Sequence, residues 1–432
     1  MVLYTVKRGD SLYSIARRFG SDIELIAKDN GIESPYNLSI GEVLIVRQPI
    51  TISVAQNGDN IYSVAQRYMT TVNRLWRNNP YLAGKFTLSE GEKIIIGGDK
   101  PINEKEISVN AYVYPSIDRE VLRKTLPYLT YLTVFSYGLE EDGNLIDIDD
   151  EEIIELARQY GAAPIMLVST LGEDGNFSNE LAINILSNSE LQNILINNIV
   201  EKVAEKRYSG VDMDFEYIPS EYAEEYVLFL KKLNDRLDES GAILMAALAP
   251  KISGDQPGLL YEGHDYEKIG NTVDKALLMT YEWGYAYGPP MAVAPINKVR
   301  EVVDYAVGVI EPSKILLGMP NYGYDWQLPY VRGKSRAKSL GNIQAIDLSK
   351  EKRAAILFDE EARSPYFIYY DKENGKPQEH VVWYENAESI QNKLNLVSEY
   401  GLDGIGVWNA MRYFPQLWLV LDGTFNIRKV LR

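Results

Sequence analysis

The chain of 432 residues has no cysteine and only two histidines. Without thiols, disulfide scaffolds, zinc–thiolate sites and cysteine nucleophiles are excluded. The two histidines, His264 and His380, leave little room for a histidine-based metal site or a Ser-His-Asp triad, so no metal and no cofactor is expected; each is read as a surface or loop residue. Positive charge is also scarce. There are 44 Lys and Arg against 61 Asp and Glu, a formal charge of −17. Nucleic acid would be repelled by that excess, whereas a neutral or mixed-charge polymer would not. No apolar run approaches the roughly 18 residues of a membrane span. The opening MVLYTVKR has no basic segment followed by an apolar stretch, so an ordinary secretory leader is not expected.

What is present is a core-forming composition, 46% hydrophobic, and an abundance of tyrosine, 31 against 10 phenylalanines. Tyrosine joins an apolar ring to a polar tip, which suits stacking on sugar faces while bonding their hydroxyls. The first hundred residues repeat themselves. YTVKRGDSLYSIARRF from Tyr4 aligns with ISVAQNGDNIYSVAQRY from Ile52; Gly9-Asp10 answers Gly58-Asp59, and Asn30 answers Asn79. Each copy reads strand, helix, helix, strand: an alternating start, a Gly-Asp turn into a helix, a second short helix, and a closing apolar run such as Val43 to Val46. Asp10 and Asp59 in this pattern also suit helix capping, and the glycines suit turns.

These copies resemble LysM modules, over residues 1–48 and 49–97. The resemblance implies a shallow groove for N-acetylglucosamine units. It places Gly9, Asp10, Ser11, Asn30 and Ile32 near one groove and Gly58, Asp59, Asn60, Asn79 and Pro80 near the other. Two tandem copies would raise avidity for a repeating polymer.

Residues 98–106 are polar, contain Pro101, and read as a linker. Beyond it, from 107 to 432, short apolar strands alternate with helical patterns. Strands are expected near 107–114, 130–137, 163–169, 210–216, 243–249, 275–281, 314–319 and 404–409, with helices such as 189–207, 220–239 and 295–309 between them. Eight strands in this rhythm predict an α/β fold, a (β/α)8 TIM barrel. The gap before the last strand is too long for one helix. Residues 330–384 carry runs such as PYFIYY and HVVWY, and are expected to form an inserted α+β subdomain walling one side of the substrate cleft.

The segment YSGVDMDFEY, 208–217, decides the chemistry. Side chains alternate along a strand, so Asp212, Asp214 and Glu216 share one face while Val211, Met213 and Phe215 share the other. The apolar set would pack under the helices and the acidic set would face the barrel axis. Three carboxylates in a row inside a barrel are electrostatically costly. Glu216 stands last, at the C-terminal end where barrel active sites lie.

This segment resembles the signature of glycoside hydrolase family 18, Asp-Gly-x-Asp-x-Asp-x-Glu, at Gly210, Asp212, Asp214 and Glu216. Ser209 replaces the leading Asp. Met279-Thr-Tyr-Glu282 is similar to the family's Met-x-Tyr-Asp, with Glu282 for Asp, and Trp408 matches the tryptophan closing the eighth strand. The resemblance implies substrate-assisted, retaining hydrolysis, an exception to the usual carboxylate pair. Glu216 would be the acid and then the base, and Asp214 would orient the acetamido group. Asp212 would share a proton with Asp214, and Tyr281 would hold the acetamido carbonyl. Trp408, Glu282, Met279 and Tyr217 would contact the sugar.

Tandem LysM modules joined to such a barrel resemble the spore-cortex-lytic N-acetylglucosaminidases of bacilli. That implies action on peptidoglycan of the spore cortex, as a monomer, at the spore coat, cortex or cell wall of a spore-forming bacterium. Two other readings stand beside it: a chitinase, which differs only in its polymer, and a non-catalytic wall-binding or spore-coat protein.

Overall fold

The computed structural model describes residues 1–48, 51–97, 101–172, 175–373 and 376–431; the start of the expected linker, 98–100, lies outside them. Each repeat folds as strand, helix, helix, strand. In the first, Val2–Thr5 pairs antiparallel with Val43–Val46 around helices Leu12–Phe19 and Ile23–Asn30. Ser11 caps the first helix, and its apolar positions Leu12, Ile15 and Ala16 are buried. In the second, Thr51–Val54 pairs with Lys93–Gly97 around helices Ile61–Arg67 and Val72–Asn78.

Eight parallel strands follow: Glu106–Val113, Tyr131–Leu139, Ala163–Ser169, Gly210–Asp214, Ile243–Leu248, Lys275–Leu278, Ile315–Pro320 and Gly404–Trp408. Each pairs with the next, and the eighth pairs with the first, closing a barrel. The helices outside are amphipathic. Helix Ala223–Asp238 buries Tyr226, Val227, Phe229, Leu230, Leu233 and Leu237 at helical spacing. An inner layer fills the barrel with Ile165, Leu167, Met245, Ala247, Leu277 and Leu316.

Two strand ends differ from expectation. The fourth stops at Asp214 and the sixth at Leu278, so Phe215, Glu216 and Met279 to Tyr281 lie just past the sheet. There the backbone turns locally, Thr280 N–H meeting Leu278 O and Tyr281 N–H meeting Met279 O. The inserted sheet has five antiparallel strands, and its first, Gly323–Gln327, precedes residue 330. That strand follows the seventh barrel strand after only two residues, so the chain leaves the barrel earlier than the composition change at 330 suggested.

The repeats are fastened by different surfaces, the first to the inserted subdomain and the helix after the eighth strand, the second to the barrel. In the first, Ile356 N–H donates to Ile40 O at 2.8 Å, Ser39 meets Ser349 at 2.8 Å, and Gln416 Nε2 donates to Asn30 Oδ1 at 2.9 Å and to Val43 O at 2.8 Å. In the second, Asn73 donates to Tyr160 O and Arg77 reaches Asp422 at 3.1 Å. Gly41 and Gly91 occupy matching turns with the same φ of +85°. A Cβ at Gly41 would lie 1.9 Å from Ile356 O, whereas one at Gly91 would meet nothing within 4 Å.

Candidate active site

Phe215 anchors the carboxylate segment from outside. Its ring stacks on Tyr226 at 5.7 Å and on Phe229 at 6.0 Å, both from the helix that follows. With Val211 and Met213, also fully buried, it fixes the outward face, each side chain contributing about 1.5–3 kcal/mol of burial. The alternation then drives Asp212 and Asp214 inward. Asp212 Oδ2 accepts the Tyr112 hydroxyl at 2.6 Å. Asp212 Oδ1 and Asp214 Oδ1 are buried with no hydrogen-bond donor.

Burial governs the protonation of this ladder. It pushes Asp212 up to about 6, against the opposing bond from Tyr112. Asp214 is raised far above the carboxylate range by burial, then by the neighbouring charges of Glu216 and Asp212. Glu216 is pushed up to about 7 by burial. Burial thus opposes three negative charges in one row: Asp214 keeps a proton at neutral pH, while Asp212, which titrates just below neutrality, is the member most readily ionised.

Glu216, Asp214, Tyr217, Met279, Tyr281, Glu282 and Trp408 line one cleft of about 820 Å3, and Asp212 lies beneath it against Tyr112. Trp408 sits among Tyr112, Tyr114 and Phe135, with ring centroids 5.5, 6.3 and 5.2 Å away. Tyr281 is 8% exposed; burial holds its phenol proton far above the usual range, leaving it a hydrogen-bond donor. Gly318 makes room for it, since a Cβ there would stand 2.9 Å from the Tyr281 ring. Glu282 adopts φ +66° and accepts hydroxyls from Tyr322 and, at 3.0 Å, Tyr324. Burial raises its pKa while the two phenols oppose the rise.

His264 corrects an expectation. It is 1% exposed, not a surface residue. Its Nδ1 accepts Ala249 N–H at 3.0 Å, which leaves Nε2–H to donate to Phe215 O at 2.9 Å. Burial lowers its pKa to about 4, so the ring is neutral and keeps both bonds. It ties the end of the fourth strand to the end of the fifth, one peptide from Glu216. His380 also departs from a loop setting: it lies in strand Lys376–Trp383, stacked on Tyr369 and bonded to Asp325.

The repeats place their marked residues differently. Gly9 and Gly58 are exposed at φ +88° and +84° with nothing within 4 Å of a Cβ. Asp10 accepts Tyr4 O–H and Lys7 N–H; Asp59 accepts Arg67, Ser63 and Gln56 N–H. Ser11 and Asn60 cap helices, and Pro80 opens a short 3-10 turn. Asn30 and Asn79 do not line a groove. They are 3% and 0% exposed, with their amides clamped on Ile45 and Ile95 of the closing strands. Ile32 is buried too, in the first repeat's core. A polar residue at a helix end has either fate, and only the packing separates them.

Tyr112, Tyr322, Tyr324 and His264 were not picked out as site residues from the sequence. Tyr112 carried a signal, since it alternates inward on the first strand. Among the described residues no three His, Asp or Glu side chains converge as metal ligands.

The profile of Glycosyl hydrolases family 18 matches residues 111–412, and that of the LysM domain matches 4–47 and 54–97. The chain belongs to glycosyl hydrolases family 18. The Cortical fragment-lytic enzyme of Bacillus subtilis (strain 168) is 35% identical to this family 18 chain over 435 residues, 99% of each. The crystal structure of the Bacillus cereus spore cortex-lytic enzyme SleL is 36% identical, covers 99% of this chain and 98% of that one, and superposes with a TM-score of 0.84. A chitinase from Chromobacterium violaceum, 24% identical with a TM-score of 0.68 over 73% of this chain, shares the fold. The protein is thus a glycosidase with two glycan-binding LysM modules, of a family that hydrolyses with retention through the substrate's own acetamido group. No described helix is long and apolar enough to cross a membrane.

Proposed function

We propose that this enzyme hydrolyses N-acetylglucosaminyl linkages in the cortex peptidoglycan of a bacterial spore, acting as a monomer at the spore or cell wall. The acetamido oxygen of the bound sugar attacks its anomeric carbon. Glu216, protonated because it is buried, gives its proton to the leaving oxygen and then takes one from water. Asp214 accepts the acetamido N–H and balances the charge that develops on the oxazolinium. Its proton passes to Asp212, which Tyr112 holds in place. Tyr281 donates to the acetamido carbonyl oxygen and keeps it in line for attack. Trp408 supports the sugar ring, with Met279, Tyr217 and Glu282 on the cleft wall, and the repeats hold the polymer.

The observation that carries this reading is a pair of buried carboxylate oxygens without donors beside a protonated phenol and an aromatic floor. End-to-end similarity to cortical fragment-lytic enzymes supports the choice of polymer. Mass spectrometry of products from defined cortical fragments and from chitin oligomers tests it. Release of products with N-acetylglucosamine at the new reducing end is expected from cortical fragments. Cleavage of chitin oligomers alone would overturn the choice of polymer, and cleavage of neither would overturn the whole reading.

A further inference from the structure

The chain is acidic overall, yet residues 326–346 contain four basic residues, Arg332, Lys334, Arg336 and Lys338, and no acidic one. All four are exposed. Three other basic residues of the inserted subdomain are paired, Lys350 with Glu42 and Asp347, Lys352 with Asp371 and Arg363 with Glu388, whereas Arg353 and Lys372, outside this run, are not paired among the described residues. None of these four has a carboxylate partner among the described residues. Asp325 stands opposite Lys338 in the antiparallel ladder, its carboxylate bonded by Tyr369 and His380; the remaining excess of positive charge raises the potential within about 8 Å at physiological salt, so its neighbours decide its use.

Its neighbours, Ala286 and Tyr287, directly follow Tyr285 of the cleft wall. Ala337 N–H donates to Ala286 O at 2.7 Å, Tyr330 O–H donates to Tyr287 O at 2.9 Å, and the Arg336 guanidinium lies 5.4 Å from the Tyr287 ring centroid. The loop itself is braced, with Val331 N–H on Ser335 Oγ and Ser335 N–H on Val331 O. Tyr285 lines the cleft, and Tyr285 and Tyr287 are 41% and 57% exposed. Aromatic rings therefore lead out of the cleft to a positively charged rim.

We propose that this rim is a subsite for a carboxylate carried by the polymer beyond the cleaved linkage. Chitin carries no carboxylate. In peptidoglycan alternate sugars are muramic residues with a lactyl ether, which ends in a free carboxylate, in a peptide with its own, or in a lactam that has none. Four exposed cations beside a tyrosine track distinguish the second polymer from the first by charge, and do so although the whole chain would repel an anion. The inference rests on the glycosidase reading and selects among its polymers.

The test uses the full chain and its variant Arg332→Ser/Lys334→Ser/Arg336→Gln/Lys338→Ser, with folding followed by circular dichroism. The substrates are a chitin tetramer, a peptidoglycan tetrasaccharide with free lactyl groups, and the same tetrasaccharide with stem peptides. In the variant, kcat/KM for carboxylate-bearing substrate relative to chitin tetramer is expected to fall about tenfold, mostly in KM. The wild-type ratio is expected to decline with added salt and the variant's to stay flat. The two anionic substrates show which carboxylate is read. An unchanged ratio in the folded variant would overturn the proposal. If the quadruple variant misfolds, Lys334→Glu alone should move the same ratio, and failure to do so would overturn it. If wild-type enzyme cleaves neither anionic substrate, the peptidoglycan reading fails separately. The rim is then judged by calorimetric binding of the same tetrasaccharides to Glu216→Gln protein, with and without the four substitutions; equal affinities would overturn it.

Discussion

The barrel strand and the LysM repeats both carry acids and amides at positions that a family signature marks, and they treat these groups in opposite ways. In the barrel, Asp212 and Asp214 each bury an oxygen that no donor reaches. In the repeats, Asp59 is bonded by Arg67, Ser63 and Gln56, and Asn79 by Ile95 and Leu75. Buried polar groups are nearly always satisfied. The satisfied set is scaffold, and the two unsatisfied oxygens are on the residues that the proposed mechanism uses. The difference teaches that a motif position marks a place, while the hydrogen-bond accounts show whether that place is structural or chemical.

The largest effect that would sharpen this contrast lies at Glu216. Glu216→Gln should lower kcat about a thousandfold or more, as loss of a general acid does, while binding to wall material persists. The same variant should be more stable than wild type at pH 8. The folded pKa, about 7, exceeds the unfolded value near 4.5, so the folded state holds an extra proton between them. That stability is full below about pH 4.5 and is lost as pH rises through 7, at a cost of about 3 kcal/mol. Glutamine cannot ionise and escapes the loss. Urea denaturation at pH 5 and pH 8 measures both, and a variant less stable at pH 8 would break the comparison.

Asn79→Ala tests the opposite side. It removes the side-chain clamp on Ile95 N–H and Ile95 O inside the second repeat, while Leu75 O keeps the backbone N–H of residue 79, and should cost about 2 kcal/mol, measured by denaturant unfolding. A gain or no change would show that the clamp is not structural.

His264 lies between the two classes, since it is satisfied and yet adjoins the site. His264→Leu should lower kcat about tenfold with little change in KM, because Glu216 loses the brace on its preceding peptide. His264→Gln, with both a donor and an acceptor, should recover part of the loss. Equal kcat in both variants, or a loss confined to KM, would argue that the ring does not position Glu216. The basic limb of the kcat–pH profile, set by Glu216, should move in the leucine variant.

Much of this was legible in the chain. Period-two alternation in Gly210–Asp214 places the acids on one face whatever surrounds them. The repeat in residues 4–97 needs no structure to be seen. The partners of those acids were less visible. Tyr112 meets Asp212 across 100 positions, and Tyr322 and Tyr324 meet Glu282 across about 40; no local pattern encodes such distances. The strand ends at Asp214 and Leu278 also escaped, because apolar character continues past the last ladder bond.

The order of its residues alone determined that this protein has two similar strand-helix-helix-strand repeats, a barrel of eight parallel strands, and a row of acids ending in Glu216, because each of these rests on local periodicity or spacing. Tertiary structure alone decided which polar groups were left without partners, that His264 braces the site from within, and that Gly41 is pressed against Ile356 while Gly91 is free. Burial and long-range contact set those outcomes, and both depend on what the rest of the chain brings near.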